Sequence, residues 1–167
     1  LVMRIKPTQP FLIVAILTLL LLQGCGFQLR GAVVLPQEMA ATWVAGHGVS
    51  GELTEAVSES IRRSNGGVAT AERDATAVLE LSNESFSRHV ATVDSDGKVS
   101  EYLLNYQVHW KLRDKSRQLI HEGVVKQREN YLYNTKQVLG KAQEEQYLRR
   151  VMVRKATADL MRALRQR

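Results

Sequence analysis

Side chains able to do chemistry are few in this 167-residue chain, and most are spaced so that they cannot cooperate. The histidines His47, His89, His109 and His121 never recur at the i,i+3 or i,i+4 spacing that sets two metal ligands on one helix face. A single cysteine, Cys25, rules out a disulfide within the chain. There is no serine-nucleophile elbow and no phosphate-binding glycine loop. Gly46-His47-Gly48 and Gly66-Gly67 lack the flanks of a nucleotide fold and read as turns. Glu144 and Glu145 are adjacent, so on a helix they point apart and cannot work as an acid–base pair. Their expected role is favourable charge at a helix N-terminus. These patterns predict no catalytic residue, no metal site, no cofactor and no enzymatic activity.

Cys25 is different because of what precedes it. With Met3 taken as the start, Arg4 and Lys6 form a basic segment. Phe11 to Leu22 is apolar except for Thr18 and is too short to span a bilayer. Leu22-Gln23-Gly24-Cys25 follows without a gap and resembles a lipobox, although Gln23 stands where a small residue is usual. A thiolate can take a diacylglyceryl group as a thioether, and Gly24 lets a peptidase approach the scissile bond closely. Residues 1–24 are therefore expected to be a cleaved signal peptide, with Cys25 the lipidated first residue of the mature chain. Each buried methylene contributes about 0.8 kcal/mol, so several acyl chains make a lasting anchor. Gly26 stands where an Asp would favour retention in the inner membrane. The expected location is the outer membrane, with the domain on its periplasmic side.

The rest of the chain must present a folded domain to that membrane. Residues 25–38, poor in charge and containing Gly31 and Pro36, read as a lipidated tether, and 39–167 as a single domain. Ala41 to Ala45 is a short β-prone run. Leu53, Val57 and Ile61 recur every fourth residue behind Ser50 and before Asn65-Gly66-Gly67, which predicts a capped amphipathic helix. Val78 to Val93 predicts a strand whose apolar parity breaks between Leu81 and Phe86, calling for a bulge near Asn83 to Ser85. After the turn at Asp94-Ser95-Asp96-Gly97, Tyr102, Leu104, Tyr106, Val108, Trp110 and Leu112 alternate with polar residues from Glu101 to Arg113, so one face is buried and the other wet. Leu119 to Tyr133 forms a more mixed strand. A helix from about Lys141 to Leu164 follows, with a pair expected between Glu145 and Arg149. The predicted fold is α+β, with two helices on one face of a small, mostly antiparallel four-stranded sheet.

The formal charge is +6, and removing Arg4 and Lys6 with the signal peptide leaves +4. Such an excess suits an anionic partner as well as an ordinary soluble surface. Nucleic acid does not fit, because the basic residues are spread out and no aromatic platform lies among them.

Taken in order, several segments resemble one family. Cys25-Gly26-Phe27-Gln28-Leu29-Arg30-Gly31 resembles the mature N-terminus of the LPS-assembly lipoprotein LptE family. Ser100-Glu101-Tyr102-Leu103-Leu104 is similar to its strand after the Asp-Gly turn. Val138-Leu139-Gly140-Lys141, leading through Glu144-Glu145 to Met152, Ala156 and Leu160, is similar to its last helix. The resemblance implies a partner, the LptD-type outer-membrane β-barrel, which the family member plugs and helps to assemble while binding lipopolysaccharide. It implies lipopolysaccharide binding at Lys141, at the loop-to-helix junction, and less strongly at Lys98. At the neighbouring turn this chain has Asp94 and Asp96 where some relatives are basic. The competing expectation is a periplasmic adaptor of another envelope machine, or a carrier of a small amphiphile with an apolar pocket between sheet and helices.

Overall fold

A computed structural model describes residues 35–133 and 141–165 of the chain. The expected signal peptide, Cys25 and most of the tether lie outside the described residues, as does the 134–140 segment.

A 3-10 turn at Gln37–Ala40 sinks Met39 into the core and leads into strand β1 (Thr42–His47). Helix α1 (Gly51–Arg63) follows. Ser50 caps it: its hydroxyl accepts the Leu53 N–H at 3.3 Å, while Glu52 lies in the first turn and Arg62 and Arg63 in the last. Leu53, Val57 and Ile61 are fully buried, so the four-residue recurrence is the face that packs. The helix closes as Gly66 N–H reaches back to the Ile61 carbonyl, with Asn65 at φ 58°. Gly67 then passes so near the Ala40 carbonyl that an added Cβ would stand 2.1 Å from its oxygen.

Strands β2 (Ala77–Val93), β3 (Val99–Asp114) and β4 (Leu119–Leu132) form a long meander. The sheet order is β1-β2-β3-β4. Only β1 and β2 are parallel, because α1 carries the chain back before β2 begins. The broken parity in β2 is resolved as the sequence requires. Pairing with β3 slips between Ser82 and Ser85, and Asn83 takes a left-handed φ of 52°. Leu81 opposite Trp110 and Phe86 opposite Tyr106 then share one face.

That face is buried under α1 and α2 (Lys141–Ala163). Leu104, Tyr106, Val108, Trp110 and Leu112 of β3 meet Leu53, Val57 and Ile61 of α1 and Met152, Val153, Ala156 and Leu160 of α2 in one core. Gly123 pairs with Trp110, and the indole lies where a side chain would stand, with Cζ2 3.0 Å from the ideal Cβ position. The mixed character of β4 also has a physical reason. Its helix-facing positions include Gln127, which donates to Asp159 at 2.6 Å, and Glu129, which pairs with Lys155. The sheet edge is thus joined to α2 by polar contacts as well as apolar ones.

Candidate functional site

The sequence directs attention to two places: the β2–β3 hairpin carrying Lys98, and the start of α2 carrying Lys141. Asp94 builds the hairpin tip. Its carboxylate accepts the Asp96 N–H at 3.0 Å and the Lys98 N–H at 2.8 Å, while Gly97 supplies the positive φ of 74°. The Lys98 ammonium lies 3.8 Å from Asp96, so this cation is partly offset within its own turn. Lys141 is the first residue of α2, and its side chain lies outside the described residues.

Near the base of the hairpin the structure gathers a ledge of tyrosines; the alternation marked Tyr102 as a core-facing residue but not this cluster. Tyr102 and Tyr131 are cross-strand partners with ring centroids 6.4 Å apart, and Tyr133 meets Tyr102 edge-on at 5.2 Å. The Arg88 guanidinium sits over the Tyr102 ring at 4.7 Å and reaches Glu145 at 2.5 Å. Tyr131 donates its hydroxyl proton to Glu144 at 3.3 Å. Burial, reinforced by the Glu144 charge, pushes the Tyr131 phenol up to about 12. The two acids at the start of α2 therefore do more than complement the helix dipole. Each ties the helix to a different strand.

Glu145 consequently does not rely on Arg149, the partner its spacing suggested. Arg149 lies 5.8 Å over the Phe86 ring and 3.9 Å from Glu84. Sequence reasoning placed a bulge around Glu84 but gave the residue no role. Its side chain is only 5% exposed. It accepts the Ser50 N–H at 2.5 Å and the Ser50 hydroxyl at 3.0 Å, and the Tyr106 hydroxyl also at 3.0 Å. Burial, with the Glu84 charge second, holds the Tyr106 phenol well above its usual range. The available signal was an acid placed inside a bulge, since a bulge re-aims the side chain it carries.

Beyond the tyrosines the hairpin arm is apolar and wet: Val90 and Val93 are exposed, and Leu132 of β4 is 77% exposed. Apolar groups open to solvent beside a lysine can meet the acyl and phosphate parts of an amphiphile. Among the described residues, no three of His, Cys, Asp or Glu converge as a metal site. His89 meets the Ser87 hydroxyl at 3.3 Å, and His121 packs edge-on to Trp110 at 5.3 Å.

A family model described as "LptE: Lipopolysaccharide-assembly" matches residues 38–164. The LPS-assembly lipoprotein LptE of Pectobacterium atrosepticum is 27% identical over 155 residues, covering 92% of this chain and 84% of that protein. Its namesake in Photorhabdus laumondii is 31% identical over 96 residues, covering 56% of this chain and 51% of that protein. Among solved structures, lipoprotein B of Nitrosomonas europaea superposes with a TM-score of 0.70 at 20% identity, over 84% of this chain and 90% of its own. The rare lipoprotein B of Shewanella oneidensis does so with a TM-score of 0.64 at 24% identity, over 74% and 92%. At these identities the structural likenesses bear on the fold.

Proposed function

The chain belongs to the LptE family of lipopolysaccharide-assembly proteins, and from that premise we propose that it is an outer-membrane lipoprotein, anchored through Cys25, that plugs an LptD-type β-barrel, assists its assembly and binds lipopolysaccharide. It acts without catalysis. The observation that carries this reading is the family match across residues 38–164, nearly all of the folded domain. Two physical features support it. A plug must be rigid and wet outside, because barrel interiors are polar. Here the outer face of β3 carries Asn105, Gln107, His109, Lys111 and Arg113, while its inner face from Leu104 to Leu112 is packed with side chains at or near zero exposure. A carrier of a small amphiphile would need a cavity between sheet and helices, and that space is filled by Leu79, Leu81, Leu104, Tyr106 and Met152.

Lipopolysaccharide is assigned to the hairpin arm and the start of α2, with Lys141 the leading cation and Lys98 a secondary one. Mild detergent extraction should bring down a large outer-membrane barrel with the full-length chain. Recovery of soluble periplasmic proteins alone would sink the barrel partnership and favour an adaptor role in another envelope machine.

A further inference from the structure

The outer face of the sheet, opposite the helices, carries a recess of about 340 Å³. Two rows of side chains cross it in register. Ser85, Gln107 and Lys126 form one row; Ser87, Asn105 and Arg128 form the next. Each row presents a hydroxyl, a carboxamide and a cation, in that order from β2 to β4. Strand spacing places neighbours within a row about 4.8 Å apart, and the pleat places the rows about 7 Å apart. The hollow exists because serines stand on β2 where it leaves the bulge, so short side chains lie beside longer ones.

Its electrostatics are one-sided. Lys126 and Arg128 have no ion pair among the described residues, whereas most cations around them do. Neither row contains a carboxylate. Along the strands, the next acids on this face are already engaged: Glu122 by Lys111 at 3.3 Å, Glu80 by Arg113 at 3.2 Å, and Glu101 by the Thr92 hydroxyl at 3.1 Å. Two unpaired cations stand at one edge of a hollow lined by hydroxyl and amide groups, with the His89 imidazole at its end against the Ser87 hydroxyl at 3.3 Å, and this set matches one ligand chemistry. The cations take an anionic oxygen cluster, and the hydroxyls and amides take the vicinal hydroxyls of a sugar ring. Its volume lies at the small end of the range of about 300–1,000 Å³ common for small-molecule sites, which suits a single sugar unit.

We propose that this recess is a binding site for a phosphorylated saccharide, with Lys126 and Arg128 holding the phosphate and Ser85, Ser87, Asn105 and Gln107 the ring hydroxyls. The site is separate from Lys98 and Lys141, and its chemistry does not depend on the lipopolysaccharide reading.

The test uses the full-length, isotope-labelled chain in a neutral detergent, titrated with glucose 6-phosphate, glucose and inorganic phosphate while backbone and Asn/Gln side-chain resonances are followed. Glucose 6-phosphate should give saturable shifts centred on 85–87, 105–107 and 126–128. It should bind roughly tenfold more tightly than phosphate alone, because the ring adds hydrogen bonds to the anion contact. The double variant K126Q/R128Q should lose this binding by at least roughly tenfold with an unchanged melting temperature, because both residues are unpaired. K115Q, which removes another unpaired cation, should leave it intact. Equal affinity for phosphate and glucose 6-phosphate, or shifts scattered over the surface and preserved in K126Q/R128Q, would overturn the saccharide site. Competition identifies the natural source. Displacement of glucose 6-phosphate by lipopolysaccharide but not by its dephosphorylated form assigns the site to the lipid's glycan; binding of glucose 6-phosphate without such displacement assigns it to a soluble sugar phosphate. Complete loss of glucose 6-phosphate binding in the barrel complex would make the recess a protein interface and overturn the proposal.

Discussion

Glu84, carried by the bulge in β2, holds the start of α1 from across the sheet: its carboxylate accepts the Ser50 backbone N–H at 2.5 Å and the Ser50 hydroxyl at 3.0 Å. Ser50 in turn accepts from the Leu53 N–H, so one buried carboxylate orders a helix cap at second hand. The same carboxylate takes the Tyr106 hydroxyl proton and lies 3.9 Å from Arg149 of α2. Both helices and the two central strands therefore converge on a side chain supplied by the irregular part of β2.

Replacing Glu84 with Ala should be among the most damaging single polar changes in the domain. It strands the Ser50 N–H and the Tyr106 hydroxyl in a buried site, a loss of about 2–4 kcal/mol. Thermal unfolding followed by circular dichroism should show a melting temperature lower by roughly 5–12 °C. Tyr106→Phe should cost only about 1 kcal/mol, because Glu84 keeps its Ser50 contacts. If E84A melts with the parent chain, the convergence has no energetic weight.

Alkaline stability gives a second expectation. The Tyr131 phenol is raised from 10 to about 12 in the folded chain, and the Tyr106 phenol is raised too. Between about pH 10 and pH 12 the unfolded chain gives up these protons while the folded chain keeps them. The folded state then binds more protons, and stability falls as pH rises. The contribution is complete below pH 10 and disappears toward the folded-state value. Denaturant unfolding at pH 9 and pH 11 should show a loss for the parent chain that is smaller for Tyr131→Phe. An equal loss in both would mean that Tyr131 does not titrate as its burial requires.

Two glycines separate close approach from backbone strain. At Gly67 an added Cβ meets the Ala40 carbonyl oxygen at 2.1 Å, and backbone cannot move aside as a flexible side chain can. Gly67→Ala should cost more than about 3 kcal/mol or prevent folding. Gly48, at φ 66°, has nothing within 4 Å of its Cβ position, so Gly48→Ala pays only for the left-handed backbone, about 1 kcal/mol. Chemical denaturation of the two variants side by side should rank them in that order.

Much of this architecture was legible because its signals are local. The four-residue recurrence of Leu53, Val57 and Ile61 and the alternation from Tyr102 to Leu112 each need only a short window of sequence. Even the bulge left a trace, since the parity break between Leu81 and Phe86 had no other economical cure. The partners of Arg149 and Glu145 were not legible, because Glu84 and Arg88 lie more than fifty residues away and their proximity is created by the packing of α2 on the sheet. The outer recess escaped for a similar reason. Ser85, Gln107 and Lys126 look unremarkable one by one and form a row only once the register of three strands is known.

The lipopolysaccharide reading can be tested at the hairpin arm without risk to the fold. Val90, Val93 and Leu132 are solvent-exposed and contribute nothing to the core, so replacing all three with Ser should leave the melting temperature within about 1 °C, as surface changes usually do. If the arm meets acyl chains, each replacement removes a contact worth about 1 kcal/mol, and the triple variant should bind lipopolysaccharide some tenfold or more weakly in a titration. Lys141→Asp should produce a loss of the same order through the phosphate. Lys98→Asp should produce a smaller one, because Asp96 already offsets that cation at 3.8 Å. Acyl and phosphate effects separate on deacylated lipopolysaccharide, where the lysine variants should still bind weakly and the triple variant should match the parent. Parent-like affinity of the triple variant for intact lipopolysaccharide would detach the exposed arm from the lipid, leaving barrel contact as the remaining role for its apolar surface.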